Sequence, residues 1–441
     1  MRIHPKQTAG SVLLIFLVIT ALAGVTLASY LHLVSNQNLS IMRSMGWNEG
    51  VAVAEAGVEE AMAHLNKNRT NRWKDGWVLQ GSNVVKQVTF GRQKYKTYID
   101  AYADKPDITS EGWVQHPTSG QFLPRPRTVK VSTTNDAIFA KGMVAKGQID
   151  LAGNGILSDS FDSSNTNKST NGQYDPAKRG DNGDVATNAS LADSLNVWNA
   201  EIYGQVSTGP GGDVGIKNGT VGSLAYHASG SSGIQSGWSD DDMNVYFPDV
   251  DLPTPLPPPL VGLPATWLPQ QIMVNGVLTS FDYFVPPGSY RLTQDLNLNT
   301  KKMYFSGPTT LILDKNLSIS GQGGMVLATN ANLQLYMNGP SASIAGNGIN
   351  NLSGIANNFN YWGTPNNKEL TIQGNGDWIG TVYAPQAAAK FGGGGASGDD
   401  FSGAMVTASV KLNGHYKFHY DEATGVYGPR RGYTITSWNE L

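Results

Sequence analysis

Four polar residues near the C-terminus have the types and spacing that could support acid–base chemistry or metal binding. These residues are His415, His419, Asp421 and Glu422. His419 and Asp421 are two positions apart, so in a β-strand their side chains would project from the same face. Imidazole nitrogens and carboxylate oxygens are zinc ligands. The structural alternative is a capping role at the last turn of a repeat, with His419 bonded to the backbone and Asp421 starting a turn.

Two acidic stretches are candidates for calcium, which binds flexible loops rich in carboxylate and carbonyl oxygens. Neither stretch matches the D-x-[DN]-x-[DN]-G pattern, so solvated turns are the simpler interpretation. No cofactor or metal site is predicted. The stretches comprise Asp240, Asp241, Asp242, Asp249 and Asp251, and the DNGDV segment that begins at Asp181.

Aromatic residues beside glycine turns could form a sugar-binding face, although core packing explains them equally well. They are Tyr361, Trp362, Trp378 and Tyr383. A lyase or glycosidase would need carboxylates about 5–9.5 Å apart in a groove, and the sequence alone pairs none. The sequence also contains no P-loop, nucleophile elbow or Cys–His pair. A nucleophilic enzyme is therefore not predicted.

Composition limits the protein class. The chain has 441 residues, 52 glycines, no cysteine, 15% charged residues and a formal net charge of -3. That length allows two or three domains, and the absence of cysteine excludes a disulfide scaffold. Scattered lysines and arginines provide no basic patch, so nucleic acid is not a predicted partner. Abundant glycine, asparagine, serine and threonine favour short strands joined by tight turns.

The N-terminal region combines an apolar run with a longer helical pattern. After Arg2 and Lys6, no charged residue occurs from Ser11 to Leu31. About 20 apolar residues suffice for a helix to cross a membrane. Apolar residues then recur at three- and four-residue steps between Val51 and Leu65. An unbroken helix over both stretches would be about 80 Å long, so its C-terminal half must pack on protein.

This N-terminus resembles that of class III prepilins, in which a short basic leader ends in glycine. The later segment AVAEAGVEEAMAHL, starting at Ala52, resembles PilX-type minor pilins. The resemblance implies cleavage by a prepilin peptidase after Gly10, leaving a mature, methylated N-terminus at Ser11. It also implies an inner-membrane single-pass precursor that assembles with other pilin or pseudopilin subunits into an extracellular or periplasmic filament.

One position departs from the family pattern. The fifth mature residue is Ile15, whereas most major pilins carry a glutamate there. A carboxylate in lipid is costly unless it is paired, so Ile15 removes one intersubunit charge pair. By family analogy, this favours a tip or initiating position over the repeating shaft. A plain single-pass anchor with a long periplasmic stalk, or another kind of signal sequence, remains an alternative.

Beyond the helix, the pattern indicates β-structure. Alternation within residues 83–104 and 125–134 predicts a small antiparallel sheet packed on the helix. From Ala137, short strands punctuated by Gly-Asn and Gly-Gly predict a β-solenoid, with a β-sandwich as the alternative. Seven prolines between Pro253 and Pro269 predict an extended strap or linker, which either separates two subdomains or lies across one continuous solenoid.

The C-terminal region resembles an uncharacterised domain, thought to be β-helical, that recurs in pilin-like and other surface proteins. The matching segments are GDWIGTVYAP from Gly376, FSGAMV from Phe401 and FHYDEA from Phe418. No catalytic residue is established for that family, so the resemblance assigns none here.

The predicted fold class is therefore α+β, with a long N-terminal helix, a small antiparallel sheet and a large mainly-β head. The expected function is non-enzymatic, in filament assembly and in adhesion or surface and carbohydrate binding. The alternative is an anchored glycan-active enzyme. The expected segments are a leader (1–10), a transmembrane and pilin helix (11–70), a small β-segment (71–135), a first solenoid segment (136–250), a strap (251–270), a second solenoid segment (271–425) and a tail (426–441).

Overall fold

The computed structural model describes residues 9–68, 72–116, 119–135, 137–374, 378–393, 399–428 and 432–441. Arg2 and Lys6 of the predicted leader, and Gly376 of the C-terminal motif, lie outside the described residues. The chain divides into two compact units. The first unit is Met1–Asp136 with Gly432–Leu441, and the second unit is Ala137–Arg431.

The first unit contains one helix and one antiparallel sheet. Helix α1 spans Ala9–Lys67, 59 residues without a proline. The strands of the sheet are β1 (Val78–Gln80), β2 (Asn83–Phe90), β3 (Gln93–Asp100), β4 (Asp107–Val114), β5 (Arg127–Thr134) and, after the second unit, β35 (Thr434–Glu440). Their order in the sheet is β1-β2-β3-β4-β5-β35.

The C-terminal half of α1 packs on one face of this sheet. Alternate residues of β4 are buried, as period-2 geometry requires when only one face of a strand is covered. The resulting core combines helix residues at three- and four-residue spacing with sheet residues from several strands. Its members include Ala54, Val58, Ala61 and Leu65 of α1 and Val84, Ile99, Ile108, Val129 and Val131 of the sheet.

The second unit is built almost entirely of short strands. Its N-terminal portion comprises β6 (Met143–Ala145), β7 (Ile149–Leu151), β8 (Leu157–Phe161), β9 (Val185–Thr187), β10 (Leu195–Trp198), β11 (Glu201–Tyr203), β12 (Val206–Ser207), β13 (Val214–Ile216), β14 (Thr220–Gly222), β15 (Gly233–Ile234) and β16 (Ser239–Asp240). Helix α2 (Leu224–Ala228) and a 3₁₀ turn (Pro176–Lys178) interrupt these strands.

The C-terminal portion of the second unit begins with β17 (Pro259–Leu260). It continues with β18 (Gln270–Val274), β19 (Val277–Phe281), β20 (Tyr283–Val285), β21 (Gly288–Leu292), β22 (Leu296–Leu298), β23 (Lys302–Phe305), β24 (Thr309–Leu313), β25 (Leu317–Ile319), β26 (Gly324–Leu327), β27 (Leu333–Met337), β28 (Ser341–Ile344) and β29 (Ile349–Asn351). It ends with a 3₁₀ turn (Ala356–Asn358), β30 (Phe359–Gly363), β31 (Glu369–Gly374), β32 (Trp378–Gly393), β33 (Asp399–Leu412), β34 (Tyr416–Asp421) and α3 (Ala423–Tyr427).

Strand pairing in the second unit is parallel, apart from the β18–β19 hairpin and two isolated bridges among the described residues. Each strand pairs with one from the next pass of the chain. Gly288 pairs with Thr309, Thr309 with Leu333 and Leu333 with Phe359. Two further ladders, β22-β25-β28-β31 and β20-β23-β26-β29, repeat this pattern. Antiparallel pairing, which the alternative β-sandwich requires, is not the pattern of this unit.

The two portions of the second unit form one continuous ladder, although they are far apart in sequence. Strand β33 pairs with β6 and β7, and β34 pairs with β8. The segment between β16 and β17 lies across it, because Pro248 O accepts a 2.7 Å hydrogen bond from the Tyr383 hydroxyl. Asp249 also accepts a 2.7 Å bond from Gln386. The proline-rich region therefore starts from a segment that crosses the ladder.

Candidate functional site

The N-terminal half of α1 is an exposed apolar rod. Side chains such as Leu13 (73% exposed) and Ile15 (56%) have no protein cover. The described residues contain one helix that is long and apolar enough to cross a membrane, and none of its apolar window is buried. Gly10 and Ser11 lie near the start of α1.

Further along α1, Gly57 marks the closest approach of helix and sheet. A Cβ at this position would overlap Thr97 Oγ1 and Ser110 Oγ. These two hydroxyls are fully buried and hydrogen-bonded to each other at 2.9 Å. On β4, a Cβ at Gly112 would overlap Gly50 O of the helix backbone. The glycine of the AEAGVEEA segment is therefore needed for helix–sheet contact.

The same segment supplies a charged contact to the sheet. Glu60 accepts a 2.6 Å hydrogen bond from Lys86 Nζ and another from the Tyr95 hydroxyl. Burial, together with this bond to Glu60, raises the pKa of the Tyr95 hydroxyl well above its usual range. Tyr95 therefore stays a neutral donor at physiological pH and holds Glu60 against the sheet.

In the second unit, the predicted C-terminal constellation is only partly assembled. His419 and Asp421 lie on β34 and are buried, whereas His415 is exposed in the preceding turn. The capping prediction was wrong on two points. Strand β34 is an inner strand between β33 and β8, and His419 bonds a carboxylate rather than the backbone. Asp421 does start a turn, because it accepts a hydrogen bond from the backbone N–H of Ala423.

The partner of His419 is Asp159, its direct register neighbour on β8. His419 Nδ1 lies 2.5 Å from Asp159 Oδ1. The Tyr174 hydroxyl donates to Asp159 Oδ2 at 2.6 Å, and Arg179 Nε lies 2.7 Å from the same oxygen. The Tyr174 ring stacks on the imidazole with ring centroids 3.5 Å apart. The other carboxylate near the imidazole is that of Asp400, 3.6 Å from Nε2.

These contacts set the charge of His419. Burial alone lowers its pKa, but the hydrogen bonds and charges of Asp159 and Asp400 outweigh burial, so the net pKa is raised. The pKa of the Tyr174 hydroxyl is raised by burial and by Asp159. These contacts therefore favour the protonated imidazole, which lies with the Arg179 guanidinium around one buried aspartate.

This cluster joins the two portions of the second unit. His419 and Asp400 come from the C-terminal portion, and Asp159, Tyr174 and Arg179 come from the N-terminal portion. His419 is 1% exposed and Asp159 is fully buried. A substrate would have no access to such a pair, whereas a buried ion pair can fix the register between two segments. We infer a structural role for the cluster.

The raised pKa of His419 makes stability depend on pH. A histidine with a raised folded-state pKa stabilises the fold fully below its unfolded pKa of about 6.5, and this contribution is lost as pH rises through the folded-state value. The unfolding temperature of the second unit should therefore fall as pH increases above about 6.5. Calorimetry over that range would test this, with His419→Gln expected to show a flatter pH dependence. An equal slope in that variant would contradict the assignment.

Most of the aromatic residues predicted as a possible sugar-binding face lie in the core, whereas Asp240, Asp241 and Asp242 are exposed. Tyr361, Trp378 and Tyr383 are buried, and Trp362 is half-buried with its indole N–H donating to Gln334 at 2.8 Å. Core packing therefore accounts for three of the four aromatics. Asp181 accepts a bond from the backbone N–H of Leu224. The described part of the chain contains no group of three or more His, Cys, Asp or Glu side chains placed to hold a metal ion.

Sequence reasoning missed Asp159, Tyr174 and Arg179. Asp159 is 260 residues from His419 and lies in a strand whose sequence has no distinctive motif. No local pattern could pair them, because their contact depends on β8 lying beside β34. The only available signal was a histidine followed closely by two carboxylates, His419 with Asp421 and Glu422.

Comparison with known proteins finds a match to one family model and similarity to solved structures. Residues 275–426 match a family described as a domain of unknown function (DUF7305), which covers less than half of the chain. No curated protein matches the sequence. One solved structure, the competence-associated pilin ComZ from Thermus thermophilus, is similar at 12% identity and a TM-score of 0.23. That alignment covers 90% of this chain and 97% of ComZ.

Proposed function

We propose that this protein is a non-enzymatic minor pilin-like subunit of a type IV pilus or pseudopilus. The observation that carries the proposal is one unbroken helix whose N-terminal half is exposed and whose C-terminal half packs on a sheet. Residues near Leu13 are apolar and exposed, while Val58 and Leu65 are buried against a sheet. Such a helix suits a subunit that is first held in a membrane and later packed among sister helices.

The maturation step follows from the prepilin-like N-terminus. A prepilin peptidase would cut between Gly10 and Ser11, and the new N-terminus would be methylated. Ile15 in place of the usual glutamate supports a tip or surface position over the repeating shaft. Before assembly the protein would be a single-pass inner-membrane protein.

The second unit would form the head of the subunit. The repeated parallel pairing from β17 to β34 favours a β-solenoid as its architecture. A head of this size is too bulky for the interior of a shaft. The proposed role of this head is adhesion, including binding to surfaces or carbohydrates.

Mass spectrometry of the mature protein would test the proposal most directly. A product beginning at Ser11, with a mass consistent with N-methylation, is expected in cells that carry a prepilin peptidase, and Gly10→Val should block its formation. Conversion should also fail in cells lacking the peptidase, which serves as the control. An intact Met1, or a cut beyond Ser29, would contradict the pilin assignment.

A further inference from the structure

A cleft lies in the second unit between the β18–β19 hairpin and the β20-β23-β26-β29 sheet. Its volume is about 430 Å³. Pockets that hold small ligands usually measure about 300–1,000 Å³. Asn347 and Asn350 line the cleft and are exposed, so it is open to solvent.

The hairpin forms one wall of the cleft. The cross-strand register places Val274, Thr279 and Phe281 on the same face of the two strands, and all three line the cleft. Phe281 is buried, and Val274 packs against the core of the second unit. The opposite face of the hairpin, which carries Met273 and Leu278, is exposed. The wall is therefore the inner face of a hairpin that is fixed to the unit.

The sheet forms the other wall. Met303 and Met325 are fully buried in the core, so the neighbouring Lys302 and Val326 lie on the outer face of their strands. Lys302 pairs with Gly324 across β23 and β26, and both residues line the cleft. Because glycine has no side chain, it leaves room beside the lysine.

Lys302 gives the cleft its charge. It is the one charged residue among the described residues that line the cleft, and its ammonium forms no ion pair within the described part of the chain. The carboxylate of Asp282 accepts 2.8 Å hydrogen bonds from Lys301 Nζ and from the backbone N–H of Lys302. That carboxylate is therefore engaged by other groups, and the Lys302 ammonium is available to an anion.

Two amide side chains accompany this ammonium. Asn347 Nδ2 donates to Gln322 O at 2.9 Å, which orients Asn347 Oδ1 as an acceptor. Asn350 is exposed on β29 and offers both an amide donor and a carbonyl acceptor. The buried Asn351 differs, because its Nδ2 already donates to Ile355 O at 2.8 Å. The cleft thus combines one positive charge with neutral groups that suit hydroxyls.

We propose that this cleft binds an acidic saccharide. The carboxylate of a uronate ring would bind the Lys302 ammonium, and the ring hydroxyls would bond to the amides of Asn347 and Asn350. The apolar side chains of Val274 and Val326 would contact the C–H groups of the ring. A fully charged ligand such as phosphate would be held by several cationic or N–H donors, whereas this cleft offers one ammonium among neutral groups. The inference rests on the carbohydrate binding proposed for the head, and it names the class of sugar.

Calorimetric titration of the full chain in detergent micelles would test this inference, with a galacturonate trisaccharide as the probe. We expect it to bind roughly 10-fold or more tightly than the neutral galactose trisaccharide, with an affinity that falls as salt is added. Lys302→Met should abolish this preference, whereas Lys302→Arg should keep it because the charge remains. The matched control is Lys315→Met, at an exposed lysine of the same unit, which should leave both affinities unchanged.

A second variant tests the amides. Asn350→Leu should weaken galacturonate binding but leave its salt dependence, because Lys302 is still present. Equal affinity for the two trisaccharides, no binding of either, or sodium acetate binding as tightly as the trisaccharide would overturn the proposal. Unchanged galacturonate binding in Lys302→Met would also overturn it, but would leave carbohydrate binding elsewhere on the head intact. Cleavage after Gly10 is measured separately, so a cleft that binds no sugar would not affect the pilin assignment.

Discussion

The variant Gly57→Val should lose the packing of helix α1 on its sheet. Its new side chain would overlap the buried hydroxyls of Thr97 and Ser110, which lie on adjacent strands and cannot both move away. Overpacking a tight core typically costs 1–3 kcal/mol and occasionally more, and we expect about 3 kcal/mol here. Hydrogen exchange of peptides from β3 and β4 should accelerate by roughly 100-fold, since each 1.4 kcal/mol is a factor of ten.

The matched control for this variant is Ala52→Val. It adds a β-branched side chain to an exposed position of the same helix, five residues away. Exchange in β3 and β4 should remain close to that of the unaltered protein. If β3 and β4 exchanged no faster in Gly57→Val than in this control, Gly57 would not be required for the close packing of the helix on the sheet.

Removing the buried aspartate of the second unit should have the other large effect. In Asp159→Asn, His419 and Arg179 would lose their shared counterion while His419 remained buried. Breaking a buried ion pair by removing one partner costs about 3–5 kcal/mol, because an uncompensated charge is left inside. For a unit of this size, that corresponds to a fall in unfolding temperature of roughly 10 °C, measurable by calorimetry.

Asp241→Asn provides the control, since Asp241 is an exposed aspartate in the same unit. It should change the unfolding temperature by little. The double variant Asp159→Asn with His419→Gln should lose less stability than the sum of the two single variants. The reason is that His419→Gln removes the charge that Asp159→Asn leaves unpaired. Additive losses would show that the two residues do not act as a pair.

The helix was predictable because its signal is local. Val51, Val58 and Leu65 recur at helical spacing, and no proline interrupts the segment. The antiparallel sheet was equally visible in part, since one covered face gives β3 and β5 their alternation of buried and half-buried residues. The sequence prediction did not include β4, which lies between them in the sheet. Each pattern is formed by residues that are close together in the sequence.

Other features have no local signal. The sequence predicts a tail over residues 426–441, yet Thr434–Glu440 within it form an edge strand in which every residue is exposed. A strand without a buried face has no alternating pattern, and only hydrogen bonding to β5 defines it. The pairing of β33 with β6 likewise joins segments that are far apart in the sequence. Short strands separated by glycine turns do not indicate which distant strand each one pairs with.

The return of the chain as β35 has a mechanical consequence. Strand β5 leads out of the sheet to the second unit, and β35 re-enters beside it with Thr434 opposite Thr134. A pull on the inserted segment would therefore act on two neighbouring strands at the same end. Six paired positions and the 2.6 Å ion pair between Arg127 and Glu440 resist the withdrawal of β35. Tension would be shared between a covalent tether at β5 and a hydrogen-bonded one at β35.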